Sequence, residues 1–428
     1  MILAFKFSKN IYFQLILSCF LGYFAAPIKA QNANDDTNYD ENSVLFFTKK
    51  KCECTTLSFE LLQNLIVIPV QINDSDTLKF ILDTGARYVI ITELNLGQDL
   101  HLNYARKTKI SGLGKGADIP AYIAHKNTIR IGNLMAENQV VSVLMEDIFL
   151  LSKKLGKMIH GILGFHLLKN FKVKIDYVSQ KLTICKAESK RFAKEKNWQT
   201  LPIELIKEKP YLITRVVFSD EEKREMKLLM DSGAGHALML SYLQKKNWMD
   251  SLPTAYLGRG LNGDLHGKIG YVRHFDLGKT PFNQVTSSFP DSLSLGLSYN
   301  YEESQGSIGA EMMRRFDWII DYSQQKVSFR PNKNIQEKFN YNMSGLEISK
   351  PFVNLPVFLV EEVREKSAAA LAGVRPGDQI VNFNGKTGSQ LSMNLFYKTF
   401  HRKSGEKIKI TVLRQGVKIK ILFLLKIN

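Results

Sequence analysis

The chain has 428 residues, 44% of them hydrophobic and 11% aromatic, which excludes a disordered polymer and leaves room for two or three domains with a sizeable core. Its formal charge of +17 favours solubility and is compatible with peripheral contact to an anionic membrane surface. No dense basic block with interleaved aromatics occurs, so no nucleic-acid partner is expected.

The first thirty residues read as an export signal. Lys6 and Lys9 precede an apolar run over 11–26, and Ile28-Lys29-Ala30 stands where a cleavage site would, before Gln31. The run is shorter than the about 20 residues a spanning helix needs. A secreted or periplasmic chain is therefore expected, with lipoprotein anchoring through Cys19 as the weaker alternative. The remaining cysteines, Cys52, Cys54 and Cys185, are an odd number and imply a free thiol or a single bridge. No Cys or His group stands at zinc spacing, so neither a metal nor a cofactor is expected.

Residues 31–56 are polar and carry no apolar period, which predicts a flexible tether. From Leu57 onward, strand-like runs of four to eight residues alternate with turn residues. One run, over 77–82, ends abruptly in Asp83-Thr84-Gly85. A strand that stops in this way presents a carboxylate at a tight turn, and glycine allows close backbone approach there. A glycine-rich tip follows at 112–116, then Ile162-Leu163-Gly164, a short helix over 165–169 and a hairpin over 171–185. The same order returns in the second half. A run over 226–230 ends in Asp231-Ser232-Gly233, a glycine tip spans 258–263, and Ser307-Ile308-Gly309 precedes a hairpin over 316–329. Asp83 and Asp231 are 148 positions apart, and an offset of 145 relates both Gly164 to Gly309 and Asp176 to Asp321. A repeated order at a nearly fixed offset implies two copies of one fold unit.

With these motifs in hand, the stretch over 57–330 resembles the retropepsin-like aspartic peptidases, in the bacterial form that carries both lobes on one chain. The resemblance implies a mainly β, bilobal pepsin/retropepsin-like pair of barrels, with an N-terminal lobe at 57–190 and a C-terminal lobe at 197–332. It implies Asp83 and Asp231 as catalytic residues, with Thr84, Gly85, Ser232 and Gly233 in support. Two features depart from the pattern: Ser307 replaces an apolar residue, and the loop Ala234-Gly235-His236 is more open than Ala86-Arg87-Tyr88.

Residues 342–428 have a different texture. Ala372-Gly373-Val374-Arg375-Pro376-Gly377-Asp378, a strand ending in Asn384-Gly385, an amphipathic helix over 391–400 and two closing strands resemble an α+β PDZ domain. Such domains take a peptide as an added strand and hold its terminal carboxylate, which makes Gly345 and Leu346 the candidate peptide-binding residues.

Two carboxylates at the pseudo-twofold axis would share one proton, because like charges at that distance cannot both ionise. One would act as general base for a water and the other as acid toward the amide oxygen. The glycine tips, through Gly112, Gly114, Gly258 and Gly260, are flap candidates over an extended substrate. Ala86 and Ala234 bring no hydroxyl to lower either carboxyl pKa, so activity at weakly acidic to neutral pH is expected. Asp176 and Asp321 end strands and are expected to brace hairpins, while His160, His166 and His236 are expected as core or surface histidines. The expected function is an exported aspartic endopeptidase acting on peptide or protein substrates, a monomer because both lobes lie on one chain. The alternative is a non-catalytic peptide-binding envelope scaffold that keeps the cleft.

Overall fold

The computed structural model describes residues 45–49, 51–92, 100–110, 116, 118–164, 168–192, 197–218, 222–241, 247–260, 263–295 and 302–426. The export signal, Cys19, the first part of the tether, Gly112, Gly114 and His166 lie outside the described residues.

Lobe one is a closed barrel of six strands: β1 (Leu65–Ile72), β2 (Leu78–Asp83), β3 (Val89–Ile91), β4 (Ile119–Ile131), β5 (Leu134–Leu144) and β6 (Gly161–Gly164). The ring runs β1-β2-β6-β3-β5-β4 and returns to β1. Alternation explains it: β2 buries Leu78, Phe80 and Leu82 toward the barrel interior, the period-2 pattern of a strand with one face in the core. Helix α1 (Leu151–Leu155) lies between β5 and β6.

Lobe two repeats the ring strand for strand. Its members are β9 (Lys209–Val217), β10 (Lys223–Asp231), β11 (Leu238–Leu240), β12 (Gly263–Leu277), β13 (Thr280–Pro290) and β14 (Gly306–Gly309). They close in the order β9-β10-β14-β11-β13-β12. The repeat at a nearly constant offset is thus a repeat of topology.

A third sheet joins the lobes. Lobe one contributes β7 (Phe171–Asp176) and β8 (Lys181–Lys186), and lobe two contributes β15 (Phe316–Asp321) and β16 (Lys326–Pro331). Strands β7 and β15, the two copies of one sequence motif, pair directly with each other, with Ile175 opposite Trp318. Trp318 is fully buried among Phe316 and Phe329, and one apolar core runs through both lobes. As expected, Asp176 and Asp321 brace hairpin turns. The Asp176 Oδ1 accepts the Val178 and Ser179 amides, and the Asp321 Oδ1 accepts the Gln324 amide.

The tether does not extend to residue 56. Phe46–Phe47 pairs with β5, Cys54–Ser58 forms the edge of the interlobe sheet against β8, and Leu45 and Phe47 are buried. Cys54 is bonded to Cys185, and among the described residues Cys52 is the free thiol. Only a few inward-facing side chains, separated by polar ones, hold this segment, so it shows no period long enough to read.

The C-terminal domain has its own core and a sheet ordered β17 (Leu346–Ser349), β18 (Leu359–Val363), β19 (Gln379–Phe383), β20 (Lys407–Arg414) and β21 (Val417–Leu424). Helix α2 (Ala368–Leu371) lies between β18 and β19, and helix α3 (Met393–Phe400) packs on the sheet through Phe396 and Phe400. The acid of the Pro-Gly-Asp turn is structural: Asp378 is buried and bonded twice by Arg414, at 2.7 Å each.

Candidate active site

Asp83 is the last residue of β2 and Asp231 the last of β10. Each strand is flanked in parallel by the apolar-glycine strand of its own lobe, so that Gly164 lies level with Asp83 and Gly309 with Asp231. These glycines are steric requirements. A Cβ on Gly164 would sit 2.4 Å from the backbone of Arg87, and one on Gly309 would sit 2.2 Å from the His236 carbonyl. The Asp loop can fold back on its strand only if that position carries no side chain.

Across the axis the two turns hold each other through four buried hydrogen bonds. The Thr84 Oγ1 donates to the Met230 carbonyl at 2.6 Å and accepts the Ser232 amide at 3.0 Å. The Ser232 Oγ donates to the Leu82 carbonyl at 2.8 Å and accepts the Thr84 amide at 3.0 Å. Every polar atom in this reciprocal set has a partner, so the cost of burying it is met. Replacing Thr84 with Val leaves the Ser232 amide and the Met230 carbonyl unsatisfied. The expected loss of stability is about 1–3 kcal/mol, read as a lower midpoint in chemical denaturation.

The grip brings the carboxyls face to face, close enough for each to act on the other. The approach depends on Gly85 and Gly233: a Cβ on Gly233 would lie 2.3 Å from the Asp83 Cγ, and one on Gly85 would lie 3.0 Å from the Asp231 Cγ. Both acids are half-buried and their environments differ. Asp83 Oδ1 accepts two amides, from Gly85 at 2.7 Å and Ala86 at 3.1 Å, whereas Asp231 Oδ1 accepts only the Gly233 amide, at 3.0 Å. Desolvation raises both carboxyls. Asp231 is pushed further up by the charge of Asp83, to about 8. The two amides favour the anion at Asp83, while Asp231, with one amide and the charge of Asp83 beside it, favours its protonated form.

Sequence reasoning did not find Lys209, whose charge acts on both carboxyls and favours their ionised forms. Nor did it find Glu208, which accepts from Arg87 at 2.5 Å and ties the first Asp loop to lobe two. The two departures from the family pattern in lobe two are one feature. His236 Nε2 and Ser307 Oγ are hydrogen-bonded at 2.8 Å, so the polar residue in the apolar strand has a partner in the more open loop. Burial pushes His236 down to about 4, which leaves it neutral. His160 is a core histidine, its Nδ1 accepting the Lys79 amide.

Of the flap candidates among the described residues, Gly258 and Gly260 lie on the strand Thr254–Gly260, which pairs with β12 as a hairpin. Gly116 and Gly263 approach each other: a Cβ on Gly263 would lie 3.9 Å from the Gly116 amide nitrogen. Gly345 and Leu346 stand at the start of β17, but the Leu346 amide donates to Ser344 Oγ at 3.0 Å and the Gly345 amide to Asn342 Oδ1 at 3.3 Å. Neither amide is open to a ligand in this arrangement. Three or more potential metal ligands do not cluster anywhere among the described residues.

Comparison with known families agrees with this architecture. Residues 68–167, most of lobe one with its Asp83 turn, match the model of an aspartyl protease. Residues 327–422 match the model of a PDZ domain, although 327–331 belong to the interlobe sheet. No curated protein matches the chain. The chain thus carries an aspartyl protease domain and a C-terminal PDZ domain, on a mainly β, two-barrel body.

Proposed function

We propose that the chain is an exported aspartic endopeptidase that hydrolyses peptide bonds with a water activated between Asp83 and Asp231. The observation that supports this reading most is the Thr84–Ser232 grip, which sets each acid against the glycine turn of the other lobe at the end of a parallel strand pair, with two amides on Asp83 and one on Asp231. Asp83, as the anion, takes a proton from the water while the water oxygen attacks the carbonyl carbon. Asp231 gives its proton to the carbonyl oxygen, forming a neutral diol. Asp83 then passes its proton to the amide nitrogen, the C–N bond breaks, and Asp231 recovers a proton from a diol hydroxyl. No covalent intermediate forms. The approach of Gly116 to Gly263 supports a role for these segments in covering an extended substrate and excluding water.

Export is supported by the Cys54–Cys185 bond, since disulfides persist in oxidising compartments. Incubation of the purified chain with a mixed peptide pool at pH 5–7 tests the catalytic reading. Cleavage by the wild type and none by Asp83→Asn is expected; cleavage that survives the substitution, or is absent from both proteins, would contradict it. Replacing Lys209 with Met removes a cation that favours ionisation, so both carboxyl pKa values rise. The alkaline limb of kcat/KM is then expected to move to higher pH, and a limb that stays in place would show that Lys209 does not reach the pair.

A further inference from the structure

A PDZ domain binds its ligand between an edge strand and a helix, adding the peptide to the sheet and holding its carboxylate on loop amides. The corresponding elements here are β17, at the sheet edge, and α3, and lobe one already occupies the space beside both. Helix α1 lies against β17 and α3. The Lys350 amide, just past β17, donates to the Lys153 carbonyl of α1 at 2.9 Å. Gly156, which caps α1 at a φ of 68°, is so close to α3 that a Cβ would lie 2.6 Å from the Met393 Cγ. The turn before β1 completes the contact. Asn394 Oδ1 accepts the Gln63 amide at 3.1 Å, and Asn64 Nδ2 donates to Tyr397 Oη at 2.7 Å. At the carboxylate end, Asn342 Oδ1 accepts the Ser344 and Gly345 amides, and Ser344 Oγ accepts that of Leu346.

We propose that the resident ligand of the PDZ groove is this chain's own helix α1, seated with the 61–64 turn, and that the PDZ domain is an internal brace on the protease body. The same helix reaches lobe two. Lys154 Nζ donates to Tyr256 Oη at 2.6 Å, on the outer strand of the glycine-rich hairpin. Glu347 of β17 is a further group whose charge acts on Lys154. Seating of α1 in the groove therefore fixes the position of that hairpin. A competing partner would be an extended internal segment rather than a free C-terminus, because the carboxylate-holding amides are filled. The proposal concerns the PDZ surface and does not depend on the chemistry at Asp83 and Asp231.

Hydrogen exchange of the full chain tests it, with two variants that act from opposite sides of the contact. Gly156→Asn keeps a residue that tolerates left-handed φ but drives a Cβ into Met393, and Asn394→Ala removes the acceptor for Gln63. In both, amides over 151–155 and 254–260 are expected to exchange at least about tenfold faster, while β20 keeps its protection. In parallel, a pool of random decapeptides with amidated C-termini should be retained by the variants at least about tenfold more than by the wild type. If β20 is lost in one variant, the other carries the readout, and its loss in both would overturn the proposal. Wild-type retention equal to that of the variants, unchanged exchange in both, or release of 151–155 without gain of peptide would equally overturn it.

Discussion

Asp231→Asn is expected to lower kcat/KM by at least about 10³-fold while making the protein more stable at neutral and alkaline pH. Asp231 has a folded-state pKa raised to about 8, above its ordinary value of 3.8, by burial and by the charge of Asp83. An acid raised in the folded state adds most to stability below its unfolded pKa and loses that contribution as pH climbs toward the folded one. Asparagine keeps the shape and the hydrogen-bonding capacity and never ionises. The variant and the wild type should therefore melt together near pH 3.5. The variant should melt a few degrees higher by pH 8, by calorimetry across that range. A variant that is less stable than wild type at every pH would mean that Asp231 is a turn-bracing acid with no buried repulsion to relieve. Loss of activity and gain of stability at one position is the pattern of a site held under electrostatic strain.

The segment before Leu57, expected as a tether, is tied to the protease body by a covalent bond. The Cys54–Cys185 bond joins residues 131 apart, and closing so long a loop restricts the unfolded chain by about 2–5 kcal/mol. Replacing both cysteines by serine is expected to lower the melting temperature of the protease body by roughly 5–15 °C. A reductant should do the same to the wild type and nothing to the double variant. Equal melting of oxidised and reduced wild type would mean that the edge strand Cys54–Ser58 is held by its sheet pairing alone.

The parts of the fold that were legible in the sequence were those encoded by short local rules. An apolar run ending in Asp-Thr-Gly is local, and a second run ending in Asp-Ser-Gly is local. Their common order with Ile162-Leu163-Gly164 and Ser307-Ile308-Gly309 needed only a comparison of the chain with itself. The Ala-Gly and Pro-Gly-Asp turns of the PDZ domain are local in the same sense. What escaped was every feature that depends on two distant segments with no shared pattern. Asn64 is buried because its Nδ2 meets Glu311 of lobe two and Tyr397 of α3, and nothing about one asparagine in a turn announces either partner. Arg315, fully buried, pairs with Glu311 and lies over the Phe339 ring. That contact fixes the stretch between lobe two and the PDZ domain. Ser307 departs from the apolar pattern, and its partner His236 stands 71 residues away in another loop. In physical terms, periodicity reports which face of an element is buried, and says nothing of which other element buries it.

The shared proton is the centre of this account, and it can be observed without any substrate. In the full-length protein labelled with ¹³C at the aspartate side-chain carboxyls, the Asp83 and Asp231 signals can be followed from pH 3 to pH 10 and assigned with the two Asn variants. Two coupled steps are expected, both raised from the ordinary aspartate value, with the last proton leaving near pH 8. Asp83→Asn should bring the Asp231 step down by removing its charged neighbour. Two independent titrations near pH 4, each indifferent to the other substitution, would show that the carboxyls do not share a site.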